Sequence, residues 1–235
     1  MPRPSIDPNK LVVLSGAGIS APSGLATFRD QGGLWDRYRI EDVATPEAWA
    51  KNPALVLEFY NARRAQAAAA QPNDGHRAIA ALEMHFKVVV ITQNVDELHE
   101  RAGSSHVIHL HGELTKARST SDPALVYHIG GEPMRPGDQC ARGSQLRPHI
   151  VWFGESVPQL EFAAEEIENA GIVIVVGTSL SVFPAAGLVR SARFHAKKYL
   201  VDLDPPPPPF GFSVVRGSAE KALPALVERL LNPPP

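Results

Sequence analysis

The stretch Lys10-Leu11-Val12-Val13-Leu14-Ser15-Gly16-Ala17-Gly18-Ile19-Ser20 joins a short apolar run to a glycine turn. The run from Lys10 to Leu14 predicts a strand, and the residues after it predict a turn and the start of a helix. Gly16 and Gly18 allow the backbone to approach a pyrophosphate closely, with helix N–H groups directed at it. Ala21 replaces the third glycine of the usual dinucleotide-binding fingerprint, so a simple turn is the alternative interpretation of this stretch alone.

Two other apolar runs end in a similar manner. Lys87 to Ile91 is followed by Thr92-Gln93-Asn94-Val95-Asp96, and Gly171 to Val176 is followed by Gly177-Thr178-Ser179. Strands that alternate with helical segments predict an α/β fold with a mostly parallel sheet. Because ligands bind such sheets at the carboxyl ends of the strands, we expect these two strand ends and the one at Gly16 to meet at one crevice.

The remaining sequence predicts further helices, two more strands and one irregular segment. The predicted helices are Pro46 to Trp49, Pro53 to Ala70, Gly75 to Met84, Pro184 to Ala196 and Ala225 to Leu231, and the predicted strands are His106 to Leu110 and Lys197 to Leu203. Asn52 and Asp74 are the expected N-caps of the second and third of these helices. Residues 116–146 are rich in Ser, Asp, Gly, Pro and Arg, so we expect a small irregular module there.

Composition limits the class of protein. The chain has 235 residues, a formal net charge of −2 and one cysteine, Cys140. The nearly balanced charge gives no sign of nucleic-acid binding, and no apolar run approaches the roughly 18 residues of a membrane helix. The start of the sequence lacks the apolar core of a signal peptide, so we expect a cytoplasmic protein. A single cysteine excludes an intrachain disulfide and a zinc site made of four cysteines from one chain.

Polar residues after the strand Lys87 to Ile91 are candidates for chemistry. Gln93, Asn94 and Asp96 are poor core residues, but they suit the rim of a crevice in which a ligand sits. His111 ends the next predicted strand, and a histidine there can act as a general base near neutral pH. Taken alone, the segment is better described as polar turns with a surface histidine, but the other segments weaken that interpretation.

Three further segments carry groups that suit a phosphorylated ligand and an extended substrate. Arg29 can pair with phosphate or ribose oxygens and Phe28 can cover a reactive sugar face; the alternative is a core ring and a solvated cation. Thr178 and Ser179 offer hydroxyl donors for phosphate or ribose. The segment Arg147 to Glu155 predicts an apolar strand that can line a channel and pair with an extended peptide.

Five segments in this order resemble the sirtuin family of NAD-dependent protein-lysine deacylases, over about residues 10–231. The matching segments are Gly16 to Ser20 with Ser23-Gly24 and Phe28-Arg29; Thr92 to Asp96 with Leu98-His99; His111-Gly112; Ile150 to Glu155; and Gly177 to Leu180 with Val182 and Pro184 to Ala186. The resemblance implies a doubly wound, Rossmann-like α/β domain with a smaller inserted module. We expect the NAD-binding domain over residues 1–29, 72–115 and 147–235, and the module over 30–71 and 116–146.

The resemblance also implies roles for individual residues. His111 is expected to be the catalytic base that acts on the ribose hydroxyls, and Asn94 is expected to order ribose and water near the reacting carbon. Val151 and Phe153 are expected to line the acyl-lysine channel. Contacts to NAD are expected from Gly16, Ala17, Gly18, Ser20, Phe28, Arg29, Gln93, Asn94, Asp96, Gly177, Thr178 and Ser179.

The implied reaction releases nicotinamide and gives free lysine and O-acyl-ADP-ribose. The expected partners are therefore NAD and the acylated lysine side chains of proteins, with no nucleic acid and no membrane. Two alternatives stay open, a protein ADP-ribosyltransferase on the same fold and a non-catalytic NAD-binding sensor. The presence of both His111 and Asn94 argues against the sensor, because a protein that only binds NAD needs no base at the ribose.

Tyr60 and Arg63 lie three residues apart on a predicted helix and therefore share a face. The pattern Tyr60-Asn61-Ala62-Arg63 resembles the Tyr-x-x-Arg of the bacterial sirtuin subgroup that removes succinyl and similar acidic acyl groups. A phenol hydroxyl and a guanidinium can bind a distal carboxylate by charge-assisted hydrogen bonds. The alternative is a core tyrosine and a surface arginine on an alanine-rich helix.

The chain departs from the family in two places. A zinc module with four cysteines is common between the His-Gly and Phe-Gly-Glu segments, but here that stretch contains only Cys140, and Ser119 stands where a first cysteine is expected. We therefore expect no zinc, with a residual metal site at His128 or Asp138 as the minor alternative. Asp202 stands where the family often has Asn, so the residues that contact adenine stay unassigned.

Overall fold

The computed structural model describes residues 5–27 and 38–232, and its largest element is a six-stranded sheet. The strands of this sheet are β1 (Asp7–Ser15), β2 (Lys87–Thr92), β3 (Val107–His109), β7 (Ala170–Val176), β8 (Lys197–Asp202) and β9 (Ser213–Arg216). All neighbours pair in parallel, in the order β3-β2-β1-β7-β8-β9. The central strands are buried on both faces, which explains why their sequences are continuous apolar runs rather than alternating ones.

Helices cover both faces of this sheet, which makes the fold doubly wound and Rossmann-like, as expected. On one face, Leu11 and Val13 of β1 pack with α4 (Asp74–Ala81) and α7 (Ala219–Leu231). On the other face, Val12 and Leu14 pack with α6 (Leu160–Glu168) and with a 3-10 helix, Ala185–Ser191. Successive residues of β1 point to opposite faces, so one strand contributes to both apolar layers.

The strand order reverses beside β1, which lies between β2 and β7. Ser15 at the end of β1 is level with Thr92 of β2 and with Val176 of β7. The turns that follow these three strands therefore lie side by side at the carboxyl edge, which confirms the expected meeting of the strand ends. This edge is the usual ligand-binding crevice of open α/β sheets.

A second, antiparallel sheet contains β4 (Gly112–Ser119), β5 (Val126–His128) and β6 (Leu146–Ile150), in the order β5-β4-β6. The helices α1 (Ile40–Val43), α2 (Pro46–Lys51) and α3 (Pro53–Ala69) pack against it through a shared apolar cluster. The expectation of an irregular module over 116–146 was therefore wrong for these strands. The pairing of β4 with β6 shifts register between Gly112 and Ala117, so the alternation of buried residues that would reveal a strand is interrupted.

The predicted domain boundaries at 115/116 and 146/147 fall inside β4 and next to the first residue of β6. The division of the chain into two domains stays a prediction. Within the described parts of the chain, no helix has the length and apolar character needed to cross a membrane.

Several predicted element boundaries are corrected by the structure. The N-cap of α4 is Asn73 rather than Asp74, because Asn73 Oδ1 accepts from the Gly75 amide at 2.9 Å. The last helix begins at Ala219 instead of Ala225, and Pro224 lies inside it. The segment after Pro184 is the 3-10 helix that ends at Ser191, and the segment after Gly16 forms two short 3-10 helices, Ala17–Ile19 and Ala21–Ser23. The N-cap Asn52 is confirmed, since Asn52 Oδ1 accepts from the Leu55 amide at 3.1 Å.

Candidate active site

The loops after β1 and β7 pack backbone against backbone at the carboxyl edge of the large sheet. The Gly18 amide donates to the Gly177 carbonyl at 2.9 Å. A Cβ atom on Gly16 would lie 2.7 Å from the Gly177 carbonyl oxygen, and one on Gly18 would lie 2.7 Å from the Gly177 Cα. Only glycine fits at these positions, so the two loops pack closely on each other and form a cradle whose glycines line one cavity.

A chain of hydrogen bonds joins the loop after β1 to the loop after β2. Asn94 Nδ2 donates to Ser20 Oγ at 3.1 Å, and Ser20 Oγ donates to Asp96 Oδ2 at 3.2 Å. All three side chains are buried. Burial raises the pKa of Asp96, and the hydrogen bonds from Leu98 and Ser20 offset part of this shift. The side chain of Asn94 is therefore held in one orientation at the rim of the crevice.

A second set of hydrogen bonds holds the backbone of Asn94. The backbone amide of Asn94 donates to Thr92 Oγ1 at 3.0 Å, and Ser15 Oγ donates to the same oxygen at 2.9 Å. His99 Nε2 lies 2.9 Å from Ser15 Oγ. Because Ser15 already donates its proton to Thr92, His99 must donate its Nε2–H to Ser15. Sequence reasoning did not assign roles to Ser15, Thr92 and His99, because these contacts join residues far apart in the chain.

His111 approaches the same region from the second sheet. Its Nδ1 lies 3.1 Å from the Gln93 carbonyl oxygen, which can only accept, so Nδ1 carries the proton and Nε2 has the free lone pair. Burial lowers the pKa of His111, and the hydrogen bond to the Gln93 carbonyl offsets part of this shift. A neutral histidine with an available Nε2 is the state that a general base requires.

His109, two residues away, is in a different electrostatic environment. Its Nδ1 lies 3.0 Å from the Asn94 carbonyl oxygen and its Nε2 lies 2.7 Å from a carboxylate oxygen of Glu100. Burial alone would lower the pKa of His109, but the Glu100 carboxylate more than offsets this, so the pKa lies above its usual value. Both ring nitrogens face acceptors, so His109 favours the cation and has no lone pair for a substrate.

A single cavity of about 690 Å³ connects these groups. This volume lies within the range of roughly 300–1,000 Å³ that is usual for small-molecule sites. Its lining comes from the strand-end loops (Gly16, Ala17, Gly18, Gln93, Asn94, Gly177, Thr178, Ser179), from His111 and from α3 (Phe59, Tyr60, Arg63). The segment after β6 also lines it (Val151, Trp152, Phe153), as do the end of β8 with the residues after it (Asp202, Leu203, Asp204) and the start of α7 (Ser218, Ala219). Ser20 and Asp96 lie behind this lining and reach it through Asn94.

Another part of the cavity lining consists of aromatic and apolar side chains. The amide of Val151 donates to the His111 carbonyl at 2.9 Å, so the segment after β6 is tied directly to the candidate base. Trp152 Nε1 donates to the Tyr60 hydroxyl at 3.1 Å. Burial raises the pKa of Tyr60, so this phenol stays protonated. Tyr60 and Arg63 both line the cavity, so the interpretation of Arg63 as a surface residue was wrong.

The structure also reports on the other predicted site residues. Gln93 Nε2 donates to Thr178 Oγ1 at 3.1 Å, which links the loops after β2 and β7. Phe28 and Arg29 lie outside the described residues. Trp152, Ser218 and Ala219 line the cavity but were not predicted. Ser218 comes just before a periodic apolar segment, so it could have been recognised as the start of a helix. The helix was instead predicted to begin after Pro224.

Comparison with known proteins assigns the family. The family model described as the Sir2 family matches residues 16–184, which is more than half of the sequence. The chain belongs to the Sir2 family.

Curated Sir2-type relatives match most of the chain. An NAD-dependent protein deacylase of Bacteroides thetaiotaomicron is 55% identical over 202 residues, which cover 83% of this chain and 86% of that protein. An NAD-dependent protein deacylase of Vibrio cholerae is 46% identical over 230 residues, which cover 94% of this chain and 93% of that protein.

Solved Sir2 structures share the fold. A Sir2 homologue in complex with NAD has a TM-score of 0.85 and 43% identity, covering 94% of this chain and 89% of that one. A mutant Sir2 homologue in complex with ADP-ribose has a TM-score of 0.86 and 41% identity, covering 94% and 92%. The glycine cradle and the cavity volume of this Sir2-family chain fit a dinucleotide.

The residues of the small sheet do not fit a zinc ion. Among residues 5–27 and 38–232, no group of three or more His, Cys, Asp or Glu side chains could hold a metal. Ser119 Oγ lies 3.2 Å from Ser121 Oγ, and Asp138 Oδ2 accepts from the Arg135 amide at 2.6 Å. No step of the chemistry proposed for this Sir2-family chain passes through a metal.

Proposed function

We infer that this chain removes acyl groups from the lysine side chains of proteins in a reaction that consumes NAD. The observation that carries this inference is the single cavity, which joins the glycine cradle, the pair His111 and Asn94, and the pair Tyr60 and Arg63. Relatives with 46–55% identity are named NAD-dependent protein deacylases. The chain is an NAD-dependent protein-lysine deacylase.

The cradle end of the cavity is proposed to bind NAD, which supplies the ADP-ribosyl group that accepts the acyl group. Gly16, Gly18 and Gly177 line the cavity, where their backbone groups can approach a pyrophosphate. The hydroxyls of Thr178 and Ser179 suit ribose or phosphate oxygens. The proposed NAD contacts are Gly16, Ala17, Gly18, Gln93, Asn94, Gly177, Thr178 and Ser179, and also Phe28 and Arg29, whereas Ser20 and Asp96, which were expected to contact NAD, reach the cavity only through Asn94.

His111 is proposed to remove a proton from a ribose hydroxyl. The hydrogen bond from its Nδ1 to the Gln93 carbonyl fixes the tautomer and orients the ring. Nε2 is then the acceptor for the proton, and the lowered pKa keeps it unprotonated near neutral pH. After proton transfer, the Gln93 carbonyl dipole stabilises the positive charge on the ring.

Asn94 is proposed to order a hydroxyl or a water next to His111. Its side-chain Nδ2 donates to Ser20 Oγ, and no hydrogen bond within the described residues uses its side-chain oxygen, Oδ1, which is therefore available as an acceptor. This oxygen can hold a hydroxyl group in the orientation that proton transfer needs. Ser20 and Asp96 position Asn94 rather than act on the substrate.

The opposite end of the cavity is proposed to bind the acylated lysine, with Val151 and Phe153 along the channel. For an acidic acyl group such as succinyl, Arg63 would pair with the distal carboxylate and Tyr60 would donate a hydrogen bond to it. Acetyl-lysine has no such carboxylate. The chain is therefore proposed to remove succinyl as well as acetyl groups.

Two adjacent arginines on α3 allow a matched test of this selectivity. Arg63 lines the cavity, whereas Arg64 is 1% exposed and donates through Nε to the Leu114 carbonyl at 2.6 Å. Arg63→Met should lower kcat/KM for a succinyl peptide by about 10- to 100-fold and change deacetylation much less. Arg64→Met should lower the melting temperature and leave the ratio of the two activities as it was. An equal fall of both activities in Arg63→Met would mean that Arg63 is structural.

Mass spectrometry of matched acetyl and succinyl peptides, incubated with the enzyme and NAD, tests the function. The expected products are the deacylated peptide, nicotinamide and acyl-ADP-ribose in solution. ADP-ribose attached to the peptide would instead indicate an ADP-ribosyltransferase. NAD binding without any product would indicate a sensor.

Two broader expectations accompany this function. The larger domain is proposed to contain residues 1–29, 72–115 and 147–235, and the smaller module residues 30–71 and 116–146. The proposed partners are acylated proteins and NAD, with neither nucleic acid nor membrane, and the proposed location is the cytoplasm. Fractionation of cells that express a tagged chain would test the location.

A further inference from the structure

Trp152 lies beside Tyr60, in the part of the cavity that is proposed to bind the acyl group. Its indole N–H makes a hydrogen bond that has no role in the chemistry proposed above. It is 2% exposed, and its indole N–H donates to the Tyr60 hydroxyl at 3.1 Å. Tyr60 is itself 5% exposed, so this bond lies in a region with little water to replace it. Both side chains line the cavity.

The direction of this hydrogen bond determines what Tyr60 can do. An indole nitrogen is only a donor, so the phenol oxygen must accept. The phenol proton is then directed away from Trp152 and is available to another acceptor. No described residue accepts a hydrogen bond from the Tyr60 hydroxyl, so this hydroxyl can donate to an acceptor that enters the cavity.

Charged groups hold Trp152 at its ring and at its backbone. The Arg147 guanidinium carbon lies 3.3 Å from the centroid of the Trp152 ring. Arg147 is paired with Glu155 at 2.7 Å, and Glu155 Oε2 also accepts from the Trp152 backbone amide at 2.8 Å. The ring and the backbone of Trp152 are thus fixed by one ion pair, so the indole N–H has little freedom to turn away from Tyr60.

We propose that Trp152 is a positioning residue for acyl-group selectivity, because its indole N–H orients the Tyr60 hydroxyl to donate to the distal carboxylate of an acidic acyl group. The inference rests on the proposed function and adds a residue to it. Acetyl-lysine offers no carboxylate to this hydroxyl, so the effect of Trp152 appears in the ratio of the two activities.

The test is a double-mutant cycle read on kcat/KM for succinyl relative to acetyl peptide. Trp152→Phe removes the N–H and keeps an aromatic ring, and it should lower this ratio by about 2- to 10-fold. Tyr60→Phe should lower the ratio as well, and Trp152→Phe should lower it no further in the Tyr60→Phe background. Trp49→Phe is the matched control, because Trp49 packs beside Trp152 in the same cluster, with ring centroids 5.9 Å apart, and no hydrogen bond from it to Tyr60 is present among the described residues.

A spectroscopic measurement follows the hydrogen bond itself. The chain has three tryptophans, so ¹⁵N-labelled indole groups give few NMR signals. The Trp152 signal is the one that Trp152→Phe removes, and Tyr60→Phe should shift it. This readout does not depend on activity.

The outcomes separate the inference from the function on which it rests. An unshifted indole signal, or an equal effect of Trp152→Phe with and without the Tyr60 hydroxyl, would overturn the role of Trp152 while desuccinylation by the wild type stands. A wild type that removes acetyl but not succinyl groups would overturn the acidic-acyl proposal, and the role of Trp152 in selectivity would fall with it.

Discussion

His109 and His111 are two residues apart, and each directs Nδ1 at a backbone carbonyl of the loop after β2. They differ in the partner of the second nitrogen. Glu100 occupies the Nε2 of His109, whereas Nε2 of His111 has no such partner among the described residues. This one difference gives the two rings pKa shifts of opposite direction and makes only His111 suitable as a base.

Removal of the His111 ring should nearly abolish deacylation without unfolding the chain. A lost general base typically costs on the order of 10²- to 10⁴-fold in rate. His111→Ala is therefore expected to reduce kcat/KM by that amount, while His109→Ala should cost much less. Circular dichroism and the melting temperature would confirm that both variants are folded. Activity of His111→Ala within a few-fold of wild type would exclude it as the base.

The pH profile distinguishes the same two histidines in the wild type. Activity requires the neutral base, so kcat/KM should rise with pH and reach half its plateau at the pKa of the base in the free enzyme. Since the pKa of His111 is lowered, this midpoint should lie below about 6.5, the usual value for histidine. A midpoint above that value would point to His109, whose pKa is raised.

For individual residues, sequence motifs predicted the side chains that line the cavity better than the side chains that hold those lining residues in place. His111, Asn94 and the glycines could be predicted because their chemistry restricts the residue type at a fixed place beside a strand end. Ser15 and Trp152 could not, because their roles depend on partners 77 and 92 residues away. Only the fold brings these pairs together.

Among the elements, the two loops that form the glycine cradle are in direct backbone contact. The Cβ atom of Ala at position 18 would overlap the Gly177 Cα, and neither loop can move without disturbing the end of its strand. Gly18→Ala should therefore lower the free energy of unfolding by about 1–3 kcal/mol. It should also weaken NAD binding, which isothermal titration calorimetry would measure.

Gly187 provides the control for this substitution. It lies in the 3-10 helix Ala185–Ser191, and the nearest atom to a Cβ there is a ring carbon of Phe183 at 3.9 Å. Gly187→Ala should leave the urea midpoint unchanged or raise it slightly. If Gly18→Ala unfolds at the same urea concentration as wild type, the contact between the two loops is looser than described.

Strands and helices were predicted correctly where a single sequence pattern was strong. They were predicted wrongly where the pattern was weak or where two patterns in one segment conflicted. Most of the apolar residues of β1, β2 and β7 are buried, so continuous apolar runs mark these strands. The last helix was predicted to begin at Ala225, but α7 begins at Ala219 and continues through Pro224, with apolar residues buried on its inner face. In the small sheet, β4 was missed because its register shifts, and β5 because it has only three residues. The strand predicted over Arg147 to Glu155 overlaps β6, but β6 ends at Ile150.

Across the described parts of the molecule, ion pairs and hydrogen bonds hold the small sheet and the segments next to it. Glu155 pairs with both Arg118 and Arg147, and Asn61 exchanges hydrogen bonds with the backbone of Met134. We predict that the purified chain contains no stoichiometric zinc and that a chelator leaves its melting temperature unchanged. Elemental analysis that finds about one zinc per chain would contradict this.

Two buried histidines should make the molecule sensitive to acid. His76 and His99 are 0% and 1% exposed, with ring centroids 5.0 Å apart. Burial lowers the pKa of His76 to about 4 and lowers that of His99 as well. The folded chain keeps both neutral, while the unfolded chain binds protons near pH 6.5, so acid favours unfolding.

The free energy of unfolding should therefore fall as the pH drops from about 6.5 towards 4, by up to about 1.4 kcal/mol per pH unit for each histidine. Urea unfolding at pH 7, 6 and 5 would measure this slope. His76→Gln should be less stable at pH 7 but should show a smaller slope. A flat profile between pH 7 and 5 would show that these rings are not neutral in the folded state.

The position of β1 between β2 and β7 has a consequence for how the molecule is made. β1 leaves the ribosome first, but its neighbour β7 follows more than 150 residues later, from Ala170 onward. At roughly 5–20 residues per second, synthesis leaves the β1 edge uncovered for about 10–30 s. The nascent chain therefore carries half of a nucleotide site and one open strand edge during that time. Newly made molecules should depend on chaperones more than their final stability would indicate, and NAD can assist folding only after residue 179 has emerged.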